Sequence, residues 1–182
     1  SLPAGVAPRV GVGELGRSVN TTMQHQIREA RSEDAETIAR LIDVLGYELD
    51  SIRIFDRLEA YRDDFSRVFV ASNDAGLVGF LSFHAIPLFH ETAMLGRITA
   101  MAIDPHHQRK GIGSSLVRAA EHFAISVGCS RMEVTSGDRR EQDAHLFYAG
   151  QGYRSDCRRF LKHLTNTEQG GGGNRLKPVP HL

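Results

Sequence analysis

Apolar residues change their spacing several times along this chain, and each change marks an element. Gln26 to Ala30 reads as a short strand. Ser32 then stands as the N-cap of a helix whose apolar stripe is Ile38, Leu41, Ile42 and Leu45. A second, more charged helix is expected over residues 51–65. Val68 to Ser72 and Leu77 to His84 are apolar runs separated by Asn73-Asp74-Ala75-Gly76, a hairpin signal. Residues 85–91, with Pro87, read as a loop. Residues 92–103 form a long strand that stops at Asp104-Pro105, because proline has no N–H for a sheet ladder. A helical pattern follows at once in Ile112, Leu116, Ala120, Phe123 and Val127. A strand over 131–136, a helix over about 141–150 and a final strand from Tyr153 to about His163 complete the series. Gly152 suits the left-handed position that ends a helix. The order β-α-α-β-β-β-α-β-α-β predicts an α/β (α+β) domain, a mixed, mostly antiparallel central sheet flanked by helices on both faces.

The 182 residues make one domain with room for a full core. Residues 1–22 lack periodicity and precede Met23, so they read as an N-terminal extension, a tag or a disordered arm, with the domain over 23–164. Residues 165–182 contain four glycines at 170–173 and read as a flexible tail. Lysine plus arginine equals aspartate plus glutamate at 22 each, so no basic field points to nucleic acid or an anionic membrane. No apolar run approaches the roughly 18 residues of a membrane span. Cys129 and Cys157 lack metal spacing, and with no sign of export the expectation is reduced thiols in a cytoplasmic protein. The nine histidines include adjacent His106 and His107, whose side chains diverge, and no Cys/His pair has zinc spacing, so no metal is expected.

Candidate chemistry concentrates after the long strand, in Gln108-Arg109-Lys110-Gly111-Ile112-Gly113. Glycines at a helix mouth bare N–H groups that have no intrahelical partner, where the helix end carries about half a positive charge. Arg109 and Lys110 add full charges, so the segment suits a phosphate. A dinucleotide fingerprint would need a third glycine, and a P-loop would need its lysine after the glycines. Taken alone, Gly-x-Gly also fits an ordinary strand-to-helix turn. Gly113→Val is expected to block such a ligand by its side chain and by disfavouring any positive φ there.

Gln-x-x-Gly-x-Gly after Ile-Asp-Pro resembles the acetyl-CoA pyrophosphate loop of the GNAT superfamily of N-acetyltransferases. Asp143-Ala-His-Leu-Phe-Tyr-Ala-Gly-Gln-Gly-Tyr153 is similar to that family's closing helix. Gln26-Ile-Arg-Glu-Ala-Arg, with Asp34, Ile38, Leu41 and Leu45-Gly46-Tyr47, resembles its opening strand and first helix. The resemblance spans about residues 25–164. It implies the GNAT fold, with acetyl-CoA as cosubstrate and an acetyl group passed directly to a primary amine within a ternary complex. It assigns Gln108, Arg109, Lys110, Gly111, Ile112, Gly113 and Ser114 to the pyrophosphate, and the backbone of Met101, Ala102 and Ile103 to the pantetheine.

The resemblance also puts Tyr148 where the family holds a general acid for the departing thiolate; the other reading of Tyr148 is a core aromatic. Many relatives carry a glutamate base at the position of Thr99, which cannot serve. His84, at the end of a strand, is one substitute, with His90 and Glu91 in the next loop, and a chain of waters is weighed ahead of it. The acceptor implied is a small-molecule amine. The contrasting classes are a CoA-binding sensor or interaction module without turnover, and an enzyme that acetylates protein lysines or N-termini. No nucleic acid or membrane partner is expected, and a homodimer is compatible with the sequence.

Overall fold

A computed structural model describes residues 25–135, 141–156 and 158–164. The expectations for residues 1–22, Met23, Cys157 and 165–182 lie outside these. Five strands form one sheet: β1 (Gln26–Glu29), β2 (Ser66–Asn73), β3 (Gly76–Pro87), β4 (Met94–Ile103) and β5 (Cys129–Val134). They lie side by side in chain order. The first three pairings are antiparallel and β4 with β5 is parallel. The parallel step needs a crossover, supplied by α3 (Ile112–Ser126). Helices α1 (Ala35–Asp43) and α2 (Ser51–Ala60) link β1 to β2, and α4 (Glu141–Gly150) follows β5.

Strand alternation sends neighbouring side chains to opposite faces, and each face is covered. Phe69, Ala71, Leu81, Phe83 and Ile98 pack with Leu116, Val117, Ala120 and Ala124 of α3. Val70, Phe80 and Ala102 pack with Ile38, Leu41 and Ile42 of α1 and with Ile54 and Leu58 of α2. The expected mixed, mostly antiparallel sheet with helices on both faces is the observed architecture. The hairpin sits where Asn73–Gly76 placed it: the Asn73 side chain accepts the Ala75 N–H at 2.9 Å, and Gly76 has φ +105°.

Several boundaries differ from the sequence expectation. Ser32 opens a 3₁₀ turn (Ser32–Asp34) instead of capping α1, and its hydroxyl bonds the Glu59 carboxylate at 2.9 Å. Helix α2 stops at Ala60, because Asp63 captures the N–H groups of Phe65 and Ser66 and turns the chain into β2. Residues Ala85–Pro87 extend β3 instead of forming a loop; Ala85 is 1% exposed, and its N–H bonds the Phe65 carbonyl. The strand expected from Tyr153 to about His163 does not form among the described residues. Arg154–Asp156 and residues 158–164 are exposed, so no buried face fixes a register for them.

Asp34 ties the start of α1 to β1. Arg28 bonds both of its oxygens, at 2.7 and 2.9 Å, and the Arg31 N–H adds a third bond at 2.8 Å. Burial pushes this carboxyl up, but the Arg28 and Arg31 bonds outweigh it and hold the pKa below the ordinary value. A depressed folded pKa contributes stability above the unfolded carboxyl pKa of about 3.9, and that stability is lost as pH falls through the lower folded value. Asp34→Asn should therefore be less stable at pH 7 and lose less further stability below about pH 4 than the parent. Urea unfolding at pH 7 and pH 3 measures this, and equal acid losses in both proteins would refute it.

Candidate functional site

Helix α3 begins without a cap. Gly111, at its N-cap, has φ +79°, offers no side chain, and its carbonyl accepts the Ser115 N–H at 3.1 Å. The N–H groups of Ile112, Gly113 and Ser114 therefore have neither a turn of helix before them nor a capping side chain. Arg109 also lies in the left-handed region, at φ +60°. Two such residues bracketing Lys110 curl the loop around the helix mouth. Arg109 and Lys110 are exposed, and Lys110 Nζ bonds the His106 carbonyl at 2.9 Å. The loop is braced from below, where Asp104 accepts the His106 N–H at 2.8 Å and contacts His107 Nδ1 at 3.2 Å. Gln108 turns back on the Ile103 carbonyl at a long 3.4 Å. Bare backbone N–H groups, the helix dipole and two cations at the rim suit this loop to an anion.

The strand leading into the loop has a free edge. Strand β4 pairs with β3 along its whole length, but with β5 only from Met94 to Ile98, which faces Val134. Beyond that point Thr99, Ala100, Met101, Ala102 and Ile103 have β3 on one side and no strand on the other among the described residues. Backbone N–H and C=O groups on that side are open to an extended ligand with amides of its own. The structure thus brings together Met101, Ala102 and Ile103 with Gln108–Ser114, as one edge ending in one loop suited to an anion.

A β-bulge lies where the edge opens. Ser82 faces Ala100 and Phe83 faces Ile98, which leaves Thr99 as the extra residue. Thr99 Oγ1 is 2.7 Å from Ser82 Oγ, and Thr99 is exposed in the middle of the sheet. Arg97, also exposed, is paired with Glu133 of β5.

Tyr148 lies on α4, with its ring edge-on to Phe147 (5.0 Å between centroids) and to Tyr153 (5.5 Å). Burial raises its pKa to about 12, so the phenol stays protonated throughout the neutral range. Phe147 docks α4 on the loop: a Cβ at Gly113 would stand 3.1 Å from the ring. Gly113 is helical with no positive φ, which corrects the expectation of strain at this position. The left-handed glycine is Gly111. Gly113 is small because Phe147 occupies the space.

His84 is not in contact with these groups. Leu81, Phe83 and Ala85 face α3, so Ser82 and His84 face the other way. There His84 Nδ1 meets Ser66 Oγ at 2.5 Å, and its ring stands 6.4 Å from that of Tyr61. Ser66 and Asp63, which bonds it, were missed in the sequence. Asp63 looked like part of a charged helix, and the register that sets Ser66 opposite His84 is long-range. His90 and Glu91 are engaged at the far end of β4, where Glu91 holds Arg131 through two bonds of 2.6 and 2.9 Å.

Among the described residues, no group of three His, Cys, Asp or Glu side chains could hold a metal ion, and no helix is long and apolar enough to cross a membrane. A cavity of about 420 Å³ beside α2 is lined by Arg28, Arg31, Arg62 and Arg67. Each of these is already paired, with Asp34, Glu33, Glu59 and Glu29 respectively, so the cavity offers no uncompensated charge.

The pattern of the Acetyltransferase (GNAT) family matches residues 23–153. The chain is 30% identical over 148 residues to an aminoalkylphosphonate N-acetyltransferase of Salmonella typhimurium (strain LT2), a match covering 76% of this chain and 91% of that protein. Among solved structures it is similar to a transcriptional regulator from Bacillus halodurans C-125, at 26% identity and a TM-score of 0.69, covering 78% of this chain and 100% of the other. It is also similar to an aminoglycoside N-acetyltransferase in complex with CoA, at 15% identity and a TM-score of 0.68, covering 78% and 95% of the two chains. The last likeness is one of fold.

The two loop glycines should respond differently to alanine. Gly111→Ala pays for a left-handed φ in open space, about 1 kcal/mol. Gly113→Ala instead presses on Phe147. A double-mutant cycle of Gly113→Ala with Phe147→Ala should show a coupling of at least about 0.5 kcal/mol, and the cycle of Gly111→Ala with Phe147→Ala close to none. Chemical denaturation of the six proteins measures both, and equal couplings would refute the distinction.

Proposed function

The chain belongs to the GNAT acetyltransferase family, and from that premise we propose that it moves the acetyl group of acetyl-CoA to a primary amine of a small molecule, by direct attack in a ternary complex. The observation that carries this reading is the unpaired edge of β4 running straight into the uncapped start of α3. CoA needs both features. Its pantetheine arm has amides to pair with Met101, Ala102 and Ile103, and its pyrophosphate suits the N–H groups of Ile112, Gly113 and Ser114 with Gln108, Arg109, Lys110 and Gly111 around them. A structural neighbour holds CoA, in keeping with this fit.

Direct attack is in keeping with the state of the one described thiol. Cys129 is free and half-buried, and burial pushes its thiol up, which lowers its thiolate fraction. Tyr148 is the donor to the leaving sulfur. At a pKa of about 12 it remains a phenol and can hydrogen-bond a developing thiolate, whose own pKa is near 8.5 in the free thiol. The small-amine acceptor is supported by the relative that acts on aminoalkylphosphonates.

Thiol release from acetyl-CoA across a panel of amines, aminoalkylphosphonates among them, tests the reading. Release that depends on a small amine is the expected result. Tight CoA binding with no release on any amine would leave a CoA-binding module instead. Tyr148→Phe should lower kcat by about 10²-fold with KM for the amine near normal, since only a transition-state interaction is lost. Unchanged kcat would return Tyr148 to a packing role.

A further inference from the structure

The polar groups on the α1–α2 face form a chain with a direction. Asp63 Oδ1 accepts the N–H groups of Phe65 at 2.7 Å and Ser66 at 2.5 Å, and its Oδ2 accepts the Ser66 hydroxyl at 3.0 Å. The Phe65 bond foremost, with those from Ser66, holds the Asp63 carboxyl below its ordinary pKa, so at neutral pH it is an acceptor only. Ser66 is 1% exposed, and its one hydroxyl proton is committed to Asp63. Its oxygen nevertheless lies 2.5 Å from His84 Nδ1. Two acceptors cannot make that contact, so Nδ1 carries the proton and donates to Ser66. A neutral His84 then keeps its lone pair on Nε2, the ring nitrogen that Ser66 does not engage. On β4, Arg97 is the register partner of His84, and exposed Thr99 bonds Ser82, two residues before His84.

We propose that Asp63 and Ser66 are positioning residues that fix His84 as the Nδ1–H tautomer, so that Nε2 is the base that takes the proton from the acceptor amine. This rests on the acetyl-transfer reading above. His84 Nε2 takes the proton that the nitrogen loses as its bond to the acetyl carbon forms. The sulfur leaves with the C–S electron pair as a thiolate that accepts a hydrogen bond from the Tyr148 hydroxyl. Solvent removes the proton from His84 and supplies one to the thiolate, so protons balance. Among the described residues, Tyr61 at the end of α2, Asp63 in the turn that follows and Arg97 on β4 are the charged or titratable groups that face His84. The Arg97 charge is met by Glu133. Thr99, in the slot where a carboxylate base would stand, is tied to Ser82 and has no basicity to offer.

Asp63→Asn is the decisive change because it is nearly isosteric and reverses the chain. The amide keeps one oxygen for the Phe65 and Ser66 N–H groups and turns a donor toward Ser66 Oγ. The Ser66 hydroxyl must then donate to His84 Nδ1, which forces the proton onto Nε2. Long-range ¹H–¹⁵N correlation spectra of the full chain labelled at histidine read the tautomer directly, with His84→Gln assigning the signal. The expected result is Nδ1–H in the parent and Nε2–H in Asp63→Asn. With acetyl-CoA and an active amine, Asp63→Asn should lower kcat by about 10²-fold or more, as expected for loss of a positioned base, with KM for acetyl-CoA unchanged. The parent should show an ascending limb that does not move when a less basic amine is supplied, and Asp63→Asn should lose that limb. Ser66→Ala should lower kcat in the same way. An Nε2–H tautomer in the parent overturns the proposal, and so do variants whose kcat and pH profile match the parent. Failure of the acetyl-transfer reading shows separately, as no thiol release by the parent on any amine, and the tautomer spectra judge the relay in either case.

Discussion

Everything about the site follows from the point where β4 and β5 part. Ile98 opposite Val134 is their last pair, and there the sheet is pinched from both sides. Gly96 brings Phe83 and Met132 so close that a Cβ would stand 2.8 Å from the ring and 3.1 Å from the Met132 side chain. One residue beyond Ile98, the Thr99 bulge shifts the register against β3. A bulge increases local twist and bends its strand, and β5 ends at Val134, the partner of Ile98, so the second half of β4 has no β5 residue to pair with. The backbone groups on that side of β4 are left to bond solvent or a ligand. The next structure along the chain is the uncapped α3. Two sets of unsatisfied groups therefore stand end to end, one suited to amides and the other to an anion.

The gap also bears on how the two groups of the proposed mechanism, on opposite faces, could serve one reaction. Tyr148 belongs with the α3 side, through Phe147 on Gly113 and through Tyr153. His84 and Ser82 belong to the α1–α2 side. A closed sheet would separate them completely. On the proposed reading, a thioester seated in the opening is reached from both faces, by a proton donor from one and a proton acceptor from the other. The polar residues of the central strands support this: exposed Arg97 and Thr99 on β4 are affordable only where the sheet face is left uncovered for a ligand.

Much of this was legible in the sequence because it depends on local chemistry. The stripe of Ile112, Leu116 and Ala120 sets α3, Asp104-Pro105 stops β4, and Asn73–Gly76 turns the hairpin. A loop suited to an anion needs only glycine and a helix start in sequence neighbours. What remained hidden needed register. Thr99 became a bulge because Ser82 faces Ala100, and Ser66 met His84 because β2 and β3 align residues 18 positions apart. In sequence Gly113 reads as room for a ligand and freedom for any positive φ; its φ is ordinary, and a Cβ there would also press on Phe147, more than 30 residues away. The strand expected from Tyr153 to about His163 has apolar residues in Phe160 and Leu161, yet both are exposed. Apolar content alone cannot make a strand without a face to bury.

A threonine in place of a carboxylate on β4 has a physical consequence beyond the loss of a base. A glutamate there would bring a negative charge close to the pinch, beside Glu133 and opposite no free cation, since Arg97 is already paired. Thr99 keeps the hole neutral and stays fixed by Ser82. Basicity moved one strand over, to an imidazole, can be switched on by orientation as well as by charge, because only the tautomer with a bare Nε2 can accept a proton. On the proposed reading Asp63 supplies that orientation at a distance: its charge sits in an exposed turn where solvation is cheap, and the buried hydroxyl of Ser66 carries the direction inward. Such a relay would keep a full negative charge out of the proposed ligand gap while still dictating where the proton on His84 sits.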